Sequence, residues 1–241
     1  MRAIGDPDDS TLTPGPERLL SVNLGKPTKV DYTTAPDRLT GIDKRPVSGP
    51  VTVFPPGPKG RDGSGLRGDA VCDRRHHGGT DQAVYAFARE DLDDWEGEVG
   101  HELANGAFGE NLTTLGVDVN GARIGERWRV GARVVLEVSA ARIPCRTFAG
   151  WLDERGWVRR FTQRARPGAY LRVIEVGEVR AGDPVRLVHR PAHEVTVSFL
   201  FRALTTEPAL LPRLLAAGEA LHPETRRKAE TALARSDRRA G

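Results

Sequence analysis

The 241-residue sequence predicts an α+β protein that is mostly β: a closed or nearly closed β-barrel with helical insertions and a small C-terminal helical appendage. Short apolar segments separated by Gly/Asp turns recur at regular intervals, as is typical of barrels. After residue 191 the composition shifts, and two prolines stand near the expected first turns of helices. We therefore expect a flexible tail at 1–18, rich in Asp, Pro and Gly, a barrel domain at 19–191 and a three-helix extension at 192–241.

Composition excludes several functional classes. The net charge is +3, with 36 basic and 33 acidic residues interspersed along the chain, so no nucleic-acid partner is indicated. No apolar run approaches the length of a membrane helix, and the first residues lack a signal-peptide core, so we expect a cytoplasmic protein with no membrane partner. The two cysteines, Cys72 and Cys145, fit neither a zinc knuckle nor a redox pair, and a reducing compartment disfavours a disulfide between them.

Apolar alternation and turn residues locate the strands. Strands are predicted at 19–24, 51–54, 69–73, 134–139, 169–176 and 185–189. The loop at 55–68 ends in a formal G-x-G-x-x-G at 63–68. Such a motif indicates dinucleotide binding only where it leaves a strand and opens a helix. Here proline precedes it and a short strand is expected to follow, so we interpret it as a surface loop.

A helix is predicted to begin at Thr80, which is a plausible N-cap after two glycines. Its apolar face would carry Val84, Ala88, Leu92 and Trp95. Free N–H groups at this helix start, beside Arg74, Arg75, His76 and His77, would form an anion site. The alternative, in which the histidines are turn residues bonded to the backbone, stays equally open.

A second glycine-rich loop ends in Gly106-Ala107-Phe108-Gly109-Glu110-Asn111. Its glycines allow a sharp turn, and Phe108 would anchor it. Glu110 and Asn111 are either functional or hydrogen-bond the loop.

Cys145 lies just past the strand at 134–139, because Pro144 has no N–H with which to continue pairing. It stands between Arg142 and Arg146, and positive charge favours the thiolate, which is both nucleophile and metal ligand. A small buried core cysteine is the alternative, and the neighbouring residues alone favour it.

Four segments together resemble the MOSC family, the molybdenum-cofactor sulfurase C-terminal-like domains, in its YiiM-like branch. They are H-H-G-G-T-D-Q-A-V-Y-A-F at 76–87, G-A-F-G-E-N-L-T-T-L-G at 106–116, E-V-S-A-A-R-I-P-C at 137–145 and R-P-G-A-Y-L-R-V-I-E-V-G-E-V-R-A-G-D at 166–183. The resemblance spans roughly 19–235. Their combination in this order is specific, although no single segment is.

The resemblance implies a MOSC-type β-barrel that binds molybdenum cofactor, a molybdopterin with Mo. It implies that Cys145 is the metal ligand or sulfur carrier, which reverses the preference for a core cysteine. The expected cofactor-binding residues are Arg74, Arg75, His76, His77, Gly78, Gly79, Asp81, Phe108, Gly109, Asn111, Arg142 and Tyr170. The basic helix predicted near 159–166 could close over an anionic cofactor, but a solvated face is the preferred interpretation.

The resemblance also implies a molybdenum-dependent oxidoreductase. Its small-molecule substrates would be N-hydroxylated compounds such as hydroxylaminopurine base analogues, reduced to amines in detoxification. The sequence has no iron–sulfur cysteine cluster and no credible flavin or nicotinamide motif, so electrons would come from a separate reductase. The alternatives are a sulfur carrier that holds a persulfide on Cys145, and an inactive barrel, which the intact motifs disfavour. A homodimer is possible.

Overall fold

The computed structural model describes residues 17–240, so nearly all of the tail predicted at 1–18 lies outside the described residues. The strands are β1 (Arg18–Gly25), β2 (Thr28–Lys29), β3 (Leu39–Thr40), β4 (Lys44–Pro46), β5 (Val51–Val53), β6 (Val84–Ala88), β7 (Leu112–Leu115), β8 (Arg127–Val130), β9 (Val134–Ala141), β10 (Ala169–Glu175), β11 (Gly177–Val179) and β12 (Val185–His189). The helices are α1 (Arg89–Val99), α2 (Arg146–Leu152), α3 (Trp157–Arg164), α4 (Val197–Leu204) and α5 (Pro223–Ala240). Two 3₁₀ segments, Thr80–Gln82 and Pro208–Ala220, complete the secondary structure of these residues.

Eight strands form one mixed sheet in the order β12-β8-β9-β10-β6-β7-β1-β4. Its neighbouring strands pair antiparallel except β6 and β7, which run parallel and are connected through α1. Parallel neighbours need such a crossover, whereas tight turns can join antiparallel ones. The predicted α+β class with helical insertions is confirmed.

Of the closed or nearly closed barrel that the sequence predicts, the closed form is wrong, because the sheet is open. The facing ends of β1 and β12 are linked by an isolated bridge between Arg18 and Pro184. Backbone bonds from Leu19 N to Asp183 O and from Val185 N to Glu17 O, both 2.9 Å, flank this bridge. These bonds join the two ends of the sheet without making β1 and β12 neighbouring strands.

The segment after the glycine turn differs from its prediction. The helix expected from Thr80 is a 3₁₀ turn followed by β6, and the α-helix begins only at Arg89. All five residues of β6 are buried, so its short apolar run fits a central strand, although the same residues also fit a helical period. Residues 69–73, predicted as a strand, are irregular.

The core continues from the sheet into α4. All eight residues of β9 are buried, so the predicted alternation does not separate a solvent face from a core face. Val197, Leu200 and Phe201 of α4 belong to the same core cluster, and Thr196 caps this helix by accepting a bond from Phe199 N at 3.1 Å. The boundary between 19–191 and 192–241 stays a prediction, with α4 packed against the sheet.

Candidate functional site

A cavity of about 410 Å³ opens beyond the end of β9, where the chain passes from sheet to α2. Volumes of this size are typical of small-ligand sites. Many of the predicted site residues line it: His76, His77, Gly78, Gly109, Asn111, Arg142, Cys145 and Tyr170. Segments far apart in the sequence therefore meet at one place.

Cys145 is the residue immediately before α2. Its backbone is extended, with φ −125° and ψ 171°, and its carbonyl accepts a bond from Ala149 N at 3.0 Å. The side chain is half-buried, as expected of a thiol that a ligand in the cavity can reach. Arg146 is exposed and does not line the cavity, so of the two arginines flanking Cys145 in sequence only Arg142 contributes to the wall.

Arg142 is buried and held by groups that do not neutralise it. Its Nη1 donates to Phe108 O at 2.7 Å, and its guanidinium lies 4.1 Å from the ring centre of Phe148 and 5.0 Å from that of Tyr85. Within residues 17–240 no carboxylate forms an ion pair with it. A guanidinium stays protonated in proteins, so the cavity wall carries an uncompensated positive charge.

His77 is uncharged near neutral pH. Burial, followed by the positive charge of Arg142, lowers the pKa of His77 to about 4. The neutral ring offers the cavity one donor and one acceptor. His77 therefore adds no positive charge to the predicted anion site near neutral pH.

Two glycines of the predicted site have positive φ angles, which residues with a side chain rarely adopt. Gly109 has φ +74°, and a Cβ there would lie 3.1 Å from Ile42 Cγ1 and 3.5 Å from Arg142 Nη1. Gly78 has φ +77°, and its Cβ would lie 2.6 Å from Gly63 O. Glycine thus allows both loops to pass close to the cavity.

Glu110 braces the second glycine loop. Its buried carboxylate accepts bonds from Gly106 N at 2.6 Å, Phe108 N at 3.0 Å and Thr113 Oγ1 at 2.8 Å. Burial raises the pKa of Glu110, and these donors oppose that shift. Of the two roles left open for Glu110, hydrogen bonding of the loop is the one observed.

Asn111 both lines the cavity and joins a buried polar network. Its Oδ1 accepts from Tyr85 N at 3.2 Å, and its Nδ2 donates to Asp69 Oδ2 at 2.9 Å. Asp69 also forms a 2.5 Å ion pair with Lys44, another lining residue, and both side chains are almost fully buried. Sequence reasoning missed Lys44 and Asp69, since nothing in the local pattern around either one indicates the other.

Gln82 and Cys72 are further lining residues that sequence analysis did not select. The Oε1 of Gln82 is buried and has no hydrogen-bond partner among the described residues. Buried acceptors are nearly always satisfied, so this atom is suited to accept a bond from a ligand in the cavity. The sequence could have indicated Gln82 because this residue lies within the 76–87 segment that resembles the family.

The remaining predicted residues do not line the cavity. Arg74 and Arg75 face a neighbouring groove, and Gly79 packs against the backbone of Lys59. Phe108 is fully buried among aromatic rings and presents only its carbonyl to Arg142. The predicted anion site at a helix start is also wrong, because α1 begins at Arg89.

Asp81 belongs to an ion network behind the cavity wall. Its carboxylate pairs with Arg172 at 2.5 Å and lies 3.4 Å from Nε2 of His222, just before α5. Arg172 also donates to Glu137 and to Ala220 O, each at 2.9 Å. This network ties the C-terminal helices to the 3₁₀ turn that carries Gln82, so Asp81 acts on the cavity only indirectly.

Comparisons with known proteins identify the family. The MOSC domain matches residues 73–186, a range that contains Cys145 and most of the cavity wall. A Bacillus subtilis protein, the uncharacterized protein YflK, is 34% identical over 184 residues, which cover 76% of this chain and 79% of that protein. The chain belongs to the MOSC domain family.

Other MOSC relatives agree in sequence and fold. YiiM of Escherichia coli is 32% identical over 136 residues, covering 55% of this chain and 60% of that protein. A Gibberella moniliformis protein named Reductase is 30% identical over 186 residues, and the chain spans only 31% of its length. The crystal structure of YiiM from Geobacillus stearothermophilus matches 90% of this chain and all of that chain, with a TM-score of 0.71 at 27% identity. In residues 17–240 no helix is both long and apolar enough to cross a membrane.

Proposed function

We propose that this MOSC protein binds molybdenum cofactor in the 410 Å³ cavity, with Cys145 as the protein ligand of the metal. The observation that carries the proposal is the half-buried thiol of Cys145 beside the uncompensated Arg142 in one cavity. A soft thiolate suits a sulfur-ligated metal, and a guanidinium suits an anionic ligand.

The composition of the wall fits a metal that arrives within an organic ligand. The described part of the chain contains no group of three or more His, Cys, Asp or Glu side chains able to hold a metal ion. One thiolate alone is a poor metal site, so the other ligands would come from the cofactor.

Several wall groups are suited to the organic part of the cofactor. The unpartnered Gln82 Oε1 is an acceptor for a pterin N–H, and neutral His77 offers both a donor and an acceptor. Gly109 has no side chain, so the pterin ring could approach the cavity wall closely there. Tyr170 lines the same cavity.

The proposed reaction is the reduction of N-hydroxylated compounds, such as hydroxylaminopurine base analogues: R–NHOH plus two electrons and two protons gives R–NH₂ and water. When bound, the cofactor supplies the two-electron redox chemistry. The name Reductase of the fungal relative supports an oxidoreductase. A separate reductase would provide the electrons, in the cytoplasm.

The residues of this chain bind and orient the reactants. Arg142 holds the anionic part of the cofactor. Ile143 and Pro144 form an apolar rim next to Cys145, and Ile143 is 44% exposed, so it can cover a planar substrate from water. Such a cover strengthens the electrostatic interactions beneath it.

Metal and pterin analysis tests cofactor binding. Protein purified from a cofactor-competent host should contain molybdenum and pterin in near-equal amounts. Cys145→Ser should keep its fold and lose reduction of hydroxylamino substrates in the presence of a supplied reductase, because a hydroxyl does not replace a thiolate ligand.

Cys72→Ser is the matched control, since it also removes a thiol from the cavity. It should retain most of the activity. Full molybdenum content and wild-type turnover in Cys145→Ser would contradict the proposal. A persulfide on Cys145 in protein without molybdenum would instead favour a sulfur carrier.

A further inference from the structure

A second, larger depression lies beside the cavity. This groove has a volume of about 870 Å³ and is formed by the loop 62–75 together with residues near 36–39 and 54–56. Leu39, Ala70, Val71, Cys72 and Asp73 line both the groove and the cavity. A ligand whose reacting end occupies the cavity can therefore extend over this shared wall into the groove.

Backbone hydrogen bonds hold the loop that carries Arg67 at the edge of the groove. A bridge pairs Leu66 with Val53, and Arg67 N donates to Thr52 O at 2.9 Å. These bonds attach the loop to β5, and the exposed Arg67 guanidinium lies 5.9 Å from the ring centre of Phe54. The G-x-G-x-x-G loop, interpreted from sequence as a simple surface loop, thus places a cationic side chain in the groove.

Some charged side chains of the groove form ion pairs, and others do not. Asp69 is neutralised by Lys44, and Asp73 by Arg75 at 3.1 Å. Within the described chain, Arg67 forms no ion pair, and the Arg74 side chain donates to the carbonyl of Arg61 at 3.0 Å. Asp37 and Asp62 also line the groove, and neither has an ion-pair partner among residues 17–240.

A sugar phosphate can bind both the unpaired arginines and the unpaired carboxylates of the groove. Phosphate binds guanidinium groups strongly, and sugar hydroxyls donate to carboxylates. We infer that the groove binds the ribose-phosphate of a nucleotide whose base enters the cavity, so that the preferred substrates are N-hydroxylated nucleotides rather than free bases. This inference names the substrate class for the proposed reductase function and rests on it. For N6-hydroxyadenosine monophosphate, two electrons and two protons from the reductase system give adenosine monophosphate and water.

Binding of the product nucleotide tests the groove without any turnover. Calorimetry on the cofactor-loaded protein should detect adenosine monophosphate, with weaker binding of adenine and of inorganic phosphate. Arg67→Ala should weaken adenosine monophosphate binding roughly tenfold, as expected for one lost charged hydrogen bond. Arg67→Lys should recover part of it. Arg129→Ala, an exposed arginine of β8 outside the groove, is the control and should bind like wild type.

Steady-state kinetics tests the substrate class. The kcat/KM for N6-hydroxyadenosine monophosphate should exceed that for the free base, and Arg67→Ala should lower only the nucleotide value. Equal kcat/KM for both substrates, equal binding of phosphate and nucleotide, or nucleotide binding unaffected by Arg67→Ala would each overturn the inference. If neither substrate is reduced, the proposed reductase function fails, while the calorimetry still decides whether the groove binds a nucleotide.

Discussion

Two groups of arginines in this protein have opposite surroundings. On and just after α3, Arg160, Arg164 and Arg166 pair with carboxylates of α1: Arg164 lies 2.9 Å from Glu98, and Arg166 lies 3.0 Å from Asp91. Arg142 instead contacts a carbonyl and two aromatic rings. The density of basic residues along the sequence is therefore a poor guide to a site, because what matters is whether carboxylates lie nearby in the fold.

The basic helix α3 does not cover the cavity beside Cys145. Its arginines reach across to α1, and Arg164 also lies 4.5 Å from the ring centre of Trp95. The sequence suggested either a helix that closes over a cofactor or a solvated face, and neither interpretation included contact with a second helix. The pairs stabilise the contact between α1 and α3, so of these two groups of arginines only Arg142 offers its charge to a ligand.

The largest expected effect follows from removing the charge of Arg142. Arg142→Met should raise the cofactor dissociation rate roughly 10- to 100-fold, the range expected when a charged hydrogen bond is lost. Arg142→Lys should recover little, since an ammonium group cannot lie flat between Phe148 and Tyr85 as a guanidinium does. Release of pterin, followed by its fluorescence, measures the rate. Retention equal to wild type in Arg142→Met would show that its charge is not used for the cofactor.

Glu110→Gln tests the brace beneath Arg142. Glu110 holds the N–H of Phe108, the residue whose carbonyl anchors Arg142. An amide has only one acceptor atom, so one buried backbone donor should lose its partner, which costs about 1–3 kcal/mol of unfolding free energy. Urea denaturation measures this value, with the exposed Glu102→Gln as control. An unchanged free energy of unfolding would mean that the loop does not depend on the carboxylate.

The pH dependence of stability tests the first group of arginines through Asp91, the carboxylate that pairs with Arg166. Burial raises the pKa of Asp91 to about 6, although Arg166 opposes the shift. The folded protein therefore binds this proton more tightly than the unfolded chain, and the Asp91 contribution to stability should fall as pH rises from about 4 to about 6.

Comparison with Asp91→Asn isolates this contribution, because His77, with its lowered pKa, changes stability in the opposite direction below pH 6.5. The stability of the variant relative to wild type should increase between about pH 4 and pH 7, by on the order of 1 kcal/mol. A constant difference across this range would contradict the raised pKa.

The smallest effect is expected at Arg164. Its ion pairs are partly exposed, and such pairs contribute about 0–1 kcal/mol. Arg164→Met should lower the unfolding free energy by no more than that, less at high salt, and leave cofactor dissociation unchanged. Loss of cofactor in this variant would remove the distinction between the two groups of arginines.

The sequence predicted those parts of the molecule that depend on local pattern. The end of β9 before Cys145 follows from Pro144, and the starts of the last two helical segments follow from Pro208 and Pro223. Val84 and Ala88 fit a helical period with Leu92 and Trp95, which is why the sequence predicts a helix there. Pairing with β10 and β7 in the sheet makes residues 84–88 a strand instead.

The candidate site was predictable only in part. Cys145, Arg142 and the glycine loops belong to segments that resemble the family, and the structure brings them together. The Lys44–Asp69 pair and the link from Asp81 to Arg172 join residues 25 and 91 positions apart, and no local period relates such residues. The bridge between the two ends of the sheet likewise joins residues far apart in the sequence, Arg18 and Pro184.

The bonds that shape the cavity join segments far apart in the chain. Tyr85 donates to the carbonyl of Pro167 across 82 positions, and Asn111 donates to the carbonyl of Asn23 across 88. Contacts of such long range form slowly, because the loop-closure entropy must be overcome before they contribute. We therefore expect the cavity to be among the last parts of the molecule to assemble, so that cofactor insertion follows completion of the sheet and a nascent chain cannot be loaded during synthesis.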